Sequence, residues 1–199
     1  TEVVRIAGLA TGPNQPEQWG ATPEAVDFFD IKSDVEAILT LACGDNEISF
    51  RATEHPALQL GQSAEVIRGE VVIGIIGKLH PKIAKTYDLK RAMYLFEFDA
   101  EKMLTTTTPI AASISKFPAI RRDISVIVDD EVSVDELLAA VAASSPALIQ
   151  GVKVFDIYKG AGIEAGRKSI AIGLILQETS RTLTDDDADE VMAVALKNL

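Results

Sequence analysis

Cysteine is nearly absent. Cys43 is the only one in 199 residues, so no disulfide can close within the chain, and a reducing, cytoplasmic compartment is the expectation. Long apolar runs are missing too. The longest candidate, 71–77 (VVIGIIG), is strand-length, far short of the ~20 residues a membrane helix needs, so no membrane partner is expected. The chain opens TEVVRIAGLA with no Met and no basic stretch ahead of an apolar run, so the expectation is a piece cut from a longer protein, with no signal peptide among these residues. Histidine is scarce. His55 and His80 both precede proline and read as turn residues whose imidazoles cap backbone groups. No CxxC, HxxxH or HExxH spacing supports a metal, and no GxSxG, GxxxxGK[ST] or strand-following GxGxxG supports a nucleophile or phosphate loop. Gly160, Gly162 and Gly166 fall between two strand patterns and read as a hairpin loop. Cys43 ends a helical pattern, where the dipole raises a thiol pKa, so it makes a poor nucleophile.

What is present is an ordinary globular composition, 47% hydrophobic and 25% charged, with a formal net charge of −11. That charge argues against a general nucleic-acid-coating protein but leaves room for a local basic face. Residues 1–110 carry 10 basic and 16 acidic side chains (−6), and residues 111–199 carry 9 and 14 (−5). The halves match, so function must lie in how the charges are arranged.

The first half reads as mixed. Strands are expected at 3–9, 47–52, 62–68, 70–77 and 92–98, with Gly69 in a hairpin turn between the third and fourth. Residues 11–20 are too rich in Pro, Gly and Asn for regular structure, and Trp19 within them is expected to lie as a lid over the core edge. Phe28, Ile31, Val35, Ile38 and Leu39 recur at helical spacing, with Asp27 or Asp30 as cap and Gly44 as stop. The expected product is an antiparallel sheet with a helix on one face.

The stretch 104–120 (LTTTTPIAASISKFPAI) breaks all periodicity and marks a boundary, with the linker proper at 106–112 between domains at 1–105 and 113–199. Order then returns as strand (122–130), helix (133–144), strand (149–160), strand (168–178) and helix (182–199). Ser133 with Glu136 forms a capping box, and Thr184 caps a helix whose first turn holds Asp185, Asp186 and Asp187. This is a ferredoxin-like βαββα order lacking its last strand.

The charges sort by element. Acids gather on the two helices, whereas Lys116, Arg121, Arg122, Lys153, Lys159, Arg167 and Lys168 fall on the approach segment, strands and hairpin loop. An open sheet face with a basic lining and small residues Ser169, Ala171 and Gly173 would admit single-stranded RNA. Phe155 and Tyr158 are candidate stacking residues, although a regular strand sends them to opposite faces and Phe155 could equally pack in the core. Arg121 and Arg122 could equally be surface charges paired with Asp123.

The blocks SKFPAIRRDISVIVDD, VKVFDIYKG, KSIAIGLILQ and RTLTDDD resemble the ferredoxin-fold anticodon-binding domain of the bacterial phenylalanyl-tRNA synthetase β-subunit family. VDFFDIKSDVEAIL, GQSAEVIRG, IGIIGKLHP and YLFEFD resemble the end of the catalytic-like module that precedes it. The resemblance implies an α+β chain: part of an antiparallel class II synthetase-like sheet, then the βαββα domain with its last strand missing. It implies an (αβ)2 enzyme that charges tRNA-Phe using ATP and magnesium, with the chemistry in the α subunit. Lys78 stands in a strand-end setting where class II enzymes use an arginine for ATP phosphates, so no catalytic residue carries over, and no cofactor or metal is expected in this chain. The implied partners are tRNA-Phe, the α subunit and the rest of β. The candidate tRNA contacts, from the placement of charges and aromatics, are Lys116, Arg121, Arg122, Phe155, Tyr158, Lys159, Arg167 and Lys168. The rival reading is a ferredoxin-like small-molecule regulatory or oligomerisation domain with an open strand edge.

Overall fold

Alternation builds the first sheet. In β5 (Met93–Asp99) Tyr94, Phe96 and Phe98 are buried while the residues between them are only half-covered, the period-2 signature of a one-sided strand. The computed structural model of the chain describes residues 2–43, 48–104 and 114–199, with the Cys43 side chain outside that description. The chain forms two compact units, Thr1–Pro109 and Ile110–Leu199. The proposed linker at 106–112 lies outside the described residues.

In the first unit β1 (Arg5–Thr11), β2 (Ile48–Ala52), β3 (Leu58–Arg68), β4 (Val71–Leu79) and β5 make an antiparallel sheet in the order β1-β5-β4-β3-β2. Arg68 pairs with Val71 across a two-residue turn, and Gly69 takes the φ of +57° such a turn needs. Helix α1 (Phe28–Cys43) lays Ile31, Val35 and Leu39 on Val66, Ile73, Ile76, Phe96 and Phe98. Both candidate caps act. Asp27 accepts from the Phe29 and Asp30 amides, and Asp30 accepts from the Asp27 amide in return. The histidines behave as read: His55 Nδ1 accepts from the Ala57 amide at 3.3 Å, and His80 Nδ1 from the Lys82 amide at 3.1 Å. His80 thereby caps the short α2 (Pro81–Thr86), and α3 (Ala100–Met103) is a single turn capped by Asp99.

Two expectations fail here. Strand β1 runs later than 3–9, through Thr11, because its partners on β5 extend to Met93. Trp19 covers nothing and is fully exposed. Its loop is closed at the base by Asn14–Glu24 and Gly12–Val26 backbone bonds, which leave the tip pointing into solvent.

The second unit follows the βαββα order: β6 (Ile120–Asp129), α4 (Val134–Ser144), β7 (Ile149–Tyr158), β8 (Arg167–Leu176) and α5 (Asp185–Asn198). Its antiparallel sheet is ordered β6-β8-β7, so β6 has a strand on one side only among the described residues. Central β8 turns Ile170, Ile172, Leu174 and Leu176 onto Leu137 and Val141 of α4 and Ala188, Val191 and Ala195 of α5. Both helices cover the same face. The capping box at Ser133 and Glu136 is formed.

At Thr184 the box is closed by Asp187, whose carboxylate also takes two hydrogen bonds from Arg181 at 2.6 and 2.8 Å. The Arg181 hydrogen bonds, then those from the Thr184 amide and hydroxyl, hold this carboxyl well below the usual carboxylate range. A depressed native pKa stabilises the fold above the unfolded value and loses that contribution as pH falls through the native one. The second unit should therefore lose stability as pH falls below about 4, and Asp187→Asn should flatten that acid limb. Thermal melts across this window check it. An unchanged acid limb in the variant would contradict it.

Candidate nucleic-acid interface

The face of the second sheet away from the helices is set by register. Along β6 the odd positions Arg121, Asp123, Ser125, Ile127 and Asp129 are exposed, and they pair with Ile175, Gly173, Ala171, Ser169 and Arg167 of β8. Paired residues share a face, so all ten lie on the open side. The Ser125 and Ser169 hydroxyls meet at 3.1 Å across the strands.

On β7 the register shifts between Val154 and Asp156, so Phe155 and Asp156 together oppose one residue of β8. This β-bulge overturns the parity expected of a regular strand. Tyr158 pairs with Ser169 of the open face, and Phe155 reaches the same side, where the Arg121 guanidinium stands 5.2 Å above its ring. Phe155 is 51% exposed and Tyr158 46%, so neither is core. Lys153 pairs with Gly173 and belongs to the same face. A Cβ on Gly173 would lie 3.0 Å from Asp123 Oδ1 and 3.2 Å from Arg121 Nη2. The glycine therefore leaves the floor over which Arg121 crosses from β6 to Phe155.

The expected segregation of bases from helix acids does not hold at every residue. Arg122, one position along from Arg121, points to the helix side, donates to Asp185 at 2.5 Å and faces Asp189 at 3.9 Å. Lys168 donates to the Asp130 and Val132 carbonyls at 2.9 and 2.7 Å and ties down the β6–α4 connection. Strand alternation sends neighbours to opposite faces, so a run of bases along one strand cannot be a basic face. Others are neutralised locally: Arg121 by Asp123 (2.8 Å), Lys159 by Asp130 (2.7 Å) and Arg167 by Asp129 (3.4 Å). Lys116, just before β6, is exposed, and neither it nor Lys153 has a carboxylate partner among the described residues. The structure thus brings Arg121, Lys153, Phe155, Tyr158 and Arg167 to one side and takes Arg122 and Lys168 away from it. Lys153 is the residue sequence reasoning left out of the contact set. Its alternation with Val152 and Val154 was the available signal.

This face offers an exposed aromatic ring topped by a guanidinium, a second ring, paired serine hydroxyls and an unpaired lysine. Such a surface can stack bases and hold phosphates. Among the described residues no three His, Cys, Asp or Glu side chains gather so as to hold a metal ion, and no helix is long and apolar enough to cross a membrane.

Comparison with known proteins gives two family matches. Residues 1–100 match the family described as phenylalanyl tRNA synthetase beta chain CLM domain, and residues 115–199 match the ferredoxin-fold anticodon binding domain. Similar proteins include the phenylalanine–tRNA ligase beta subunits of Methylococcus capsulatus (46% identical over 94% of this chain and 24% of the relative) and Shewanella oneidensis (42% identical over 92% and 23%). The chain spans about a quarter of the length of these curated relatives. With both family matches in chain order, on an antiparallel sheet followed by a ferredoxin-like βαββα unit, the chain belongs to the beta-subunit family of phenylalanine–tRNA ligase.

Proposed function

We propose that this chain serves as scaffold and RNA-gripping part of an ATP- and magnesium-dependent phenylalanine–tRNA ligase. In this reading residues 113–199 bind the anticodon stem-loop of tRNA-Phe, and residues 1–105 contact the rest of β and an α subunit within a cytoplasmic (αβ)2 enzyme. Residues 106–112 link the two. ATP, magnesium and the esterification belong to the α subunit. The observation that carries the reading is the open sheet face of an anticodon-binding family member, on which Arg121 lies across the exposed ring of Phe155. Stacking on such a ring is tolerant of base identity, and bases splayed from an RNA loop are the substrates that can reach it.

Among the sequence candidates, the reading keeps Arg121, Phe155, Tyr158 and Arg167, with Lys116 and Lys159 at the margins. It adds Lys153, and it gives Arg122 and Lys168 a supporting role. The test is competition. An isolated anticodon stem-loop RNA should displace labelled tRNA-Phe from the purified chain. Displacement by an acceptor-stem hairpin and not by the anticodon stem-loop would contradict the assignment.

A further inference from the structure

In residues 1–110 the positive charge is concentrated. Residues 71–96 hold five bases (Lys78, Lys82, Lys85, Lys90, Arg91) and one acid, Asp88, a net +4, while the remaining residues of that half hold 5 bases and 15 acids, −10. Elsewhere in the first unit cations meet carboxylates: Arg5 with Glu97, Lys32 with Glu36, Arg51 with Glu65 and Lys102 with Asp99. Within the basic segment only Lys90 does so, with Asp88, among the described residues. Lys85 and Arg91 have no carboxylate partner there, and Lys78 leans on the Tyr94 ring at 5.9 Å.

These side chains surround one hollow. An open depression of about 480 Å³, at the junction of β4, α2 and the start of β5, is lined by Lys78, Lys85, Lys90 and Arg91 with Asp88 and Gln59 among their neighbours. Four cations against one carboxylate repel one another in a shared concavity, an arrangement that an arriving anion relieves. No aromatic ring lines it, so it has nothing on which a base could stack. An open, cation-rimmed, ring-free hollow suits backbone phosphates more than a nucleotide held by its base.

We propose that this hollow is a second RNA contact, separate from the open face of the second unit, which takes backbone phosphates without reading sequence. The choice of RNA as the anion rests on the function proposed above. The position and charge of the site do not.

The experiment measures binding of labelled tRNA to the purified chain at several salt concentrations, for the wild type, for Lys85→Ala/Lys90→Ala/Arg91→Ala and for Lys153→Ala in the other unit. All three side chains of the triple variant are exposed, so the fold should survive, and circular dichroism confirms that. Each phosphate contact contributes ~0.7 to 0.9 to the log–log salt slope, so the triple variant should lose about 2 to 3 units. A charge-preserving Lys85→Arg/Lys90→Arg/Arg91→Lys variant should keep the slope. An unchanged slope in the triple variant overturns the proposal. So does a chain whose hollow takes inorganic pyrophosphate or polyglutamate through these residues while tRNA binding ignores them, since the site would then serve a small anion or an acidic protein. Loss of slope with Lys153→Ala alone removes this site and leaves the anticodon-face reading standing. Loss with the triple variant alone does the reverse.

Discussion

Phe98→Ala should cost the first unit about 3–5 kcal/mol, because the ring is fully buried on a strand flanked by β1 and β4. Gly74→Ala should do damage of similar size by the opposite route. Gly74 pairs with Phe98 across β4 and β5, and a Cβ there would fall 2.3 Å from both the Glu97 carbonyl oxygen and Phe98 Cδ1. The ring could swing away, but the carbonyl belongs to the strand ladder and cannot move without breaking it. Overfilling of this kind typically costs 1–3 kcal/mol and more where backbone is the obstacle. Either loss is a large share of the ~5–15 kcal/mol that holds a domain together. The two changes act on one contact, so they should not add: with Phe98 already alanine, Gly74→Ala should cost measurably less than in the wild type. Amide exchange in β4 and β5 reads this directly. Trp19, fully exposed, would be a poor fluorescence reporter. Strict additivity would mean that the carbonyl alone sets the cost.

The second large effect is on RNA. Phe155→Ala removes the exposed platform and the cation–π seat of Arg121 together. A base stacked on an aromatic side chain is worth ~1–3 kcal/mol, so tRNA binding should weaken by about five- to 150-fold. Phe155 is half-exposed, so stability should change little and the loss can be assigned to the surface. Tyr158→Phe, which removes only the hydroxyl bonded to the Ala161 carbonyl at 3.2 Å, should be mild by comparison. Equal losses from the two variants would mean that the ring of Phe155 is not the platform.

Local chemistry was legible in the sequence and long-range pairing was not. The box at Ser133, the cap at Thr184, the Gly69 turn and the histidine caps each lie within about three residues, so spacing alone displays them. The βαββα order was legible for the same reason, since each element announces its own period. Arg122 was not, because its partners Asp185 and Asp189 lie more than sixty residues on and meet it only through packing of α5 on β6. The bulge that puts Phe155 beside Tyr158 was not either. It adds one residue to β7 relative to β8, and nothing in VKVFDIYKG marks the place. Trp19 misled for a related reason. A large ring argues for burial, but a loop tied only at its base has no core beneath its tip.

The central claim is that RNA meets the helix-free face of the second unit. The most direct test is the salt dependence of tRNA-Phe binding for two double variants of the chain. Arg121→Ala/Lys153→Ala removes charge from the open face, and Arg122→Ala with Lys197→Ala in the last turn of α5 removes the same charge from the helix side. The first pair should lower the log–log slope by about 1.4 to 1.8 units, and less if Asp123 keeps Arg121 partly engaged. The second pair should leave the slope unchanged. A slope that falls with Arg122→Ala/Lys197→Ala and holds with Arg121→Ala/Lys153→Ala would place the RNA on the helices and contradict the account.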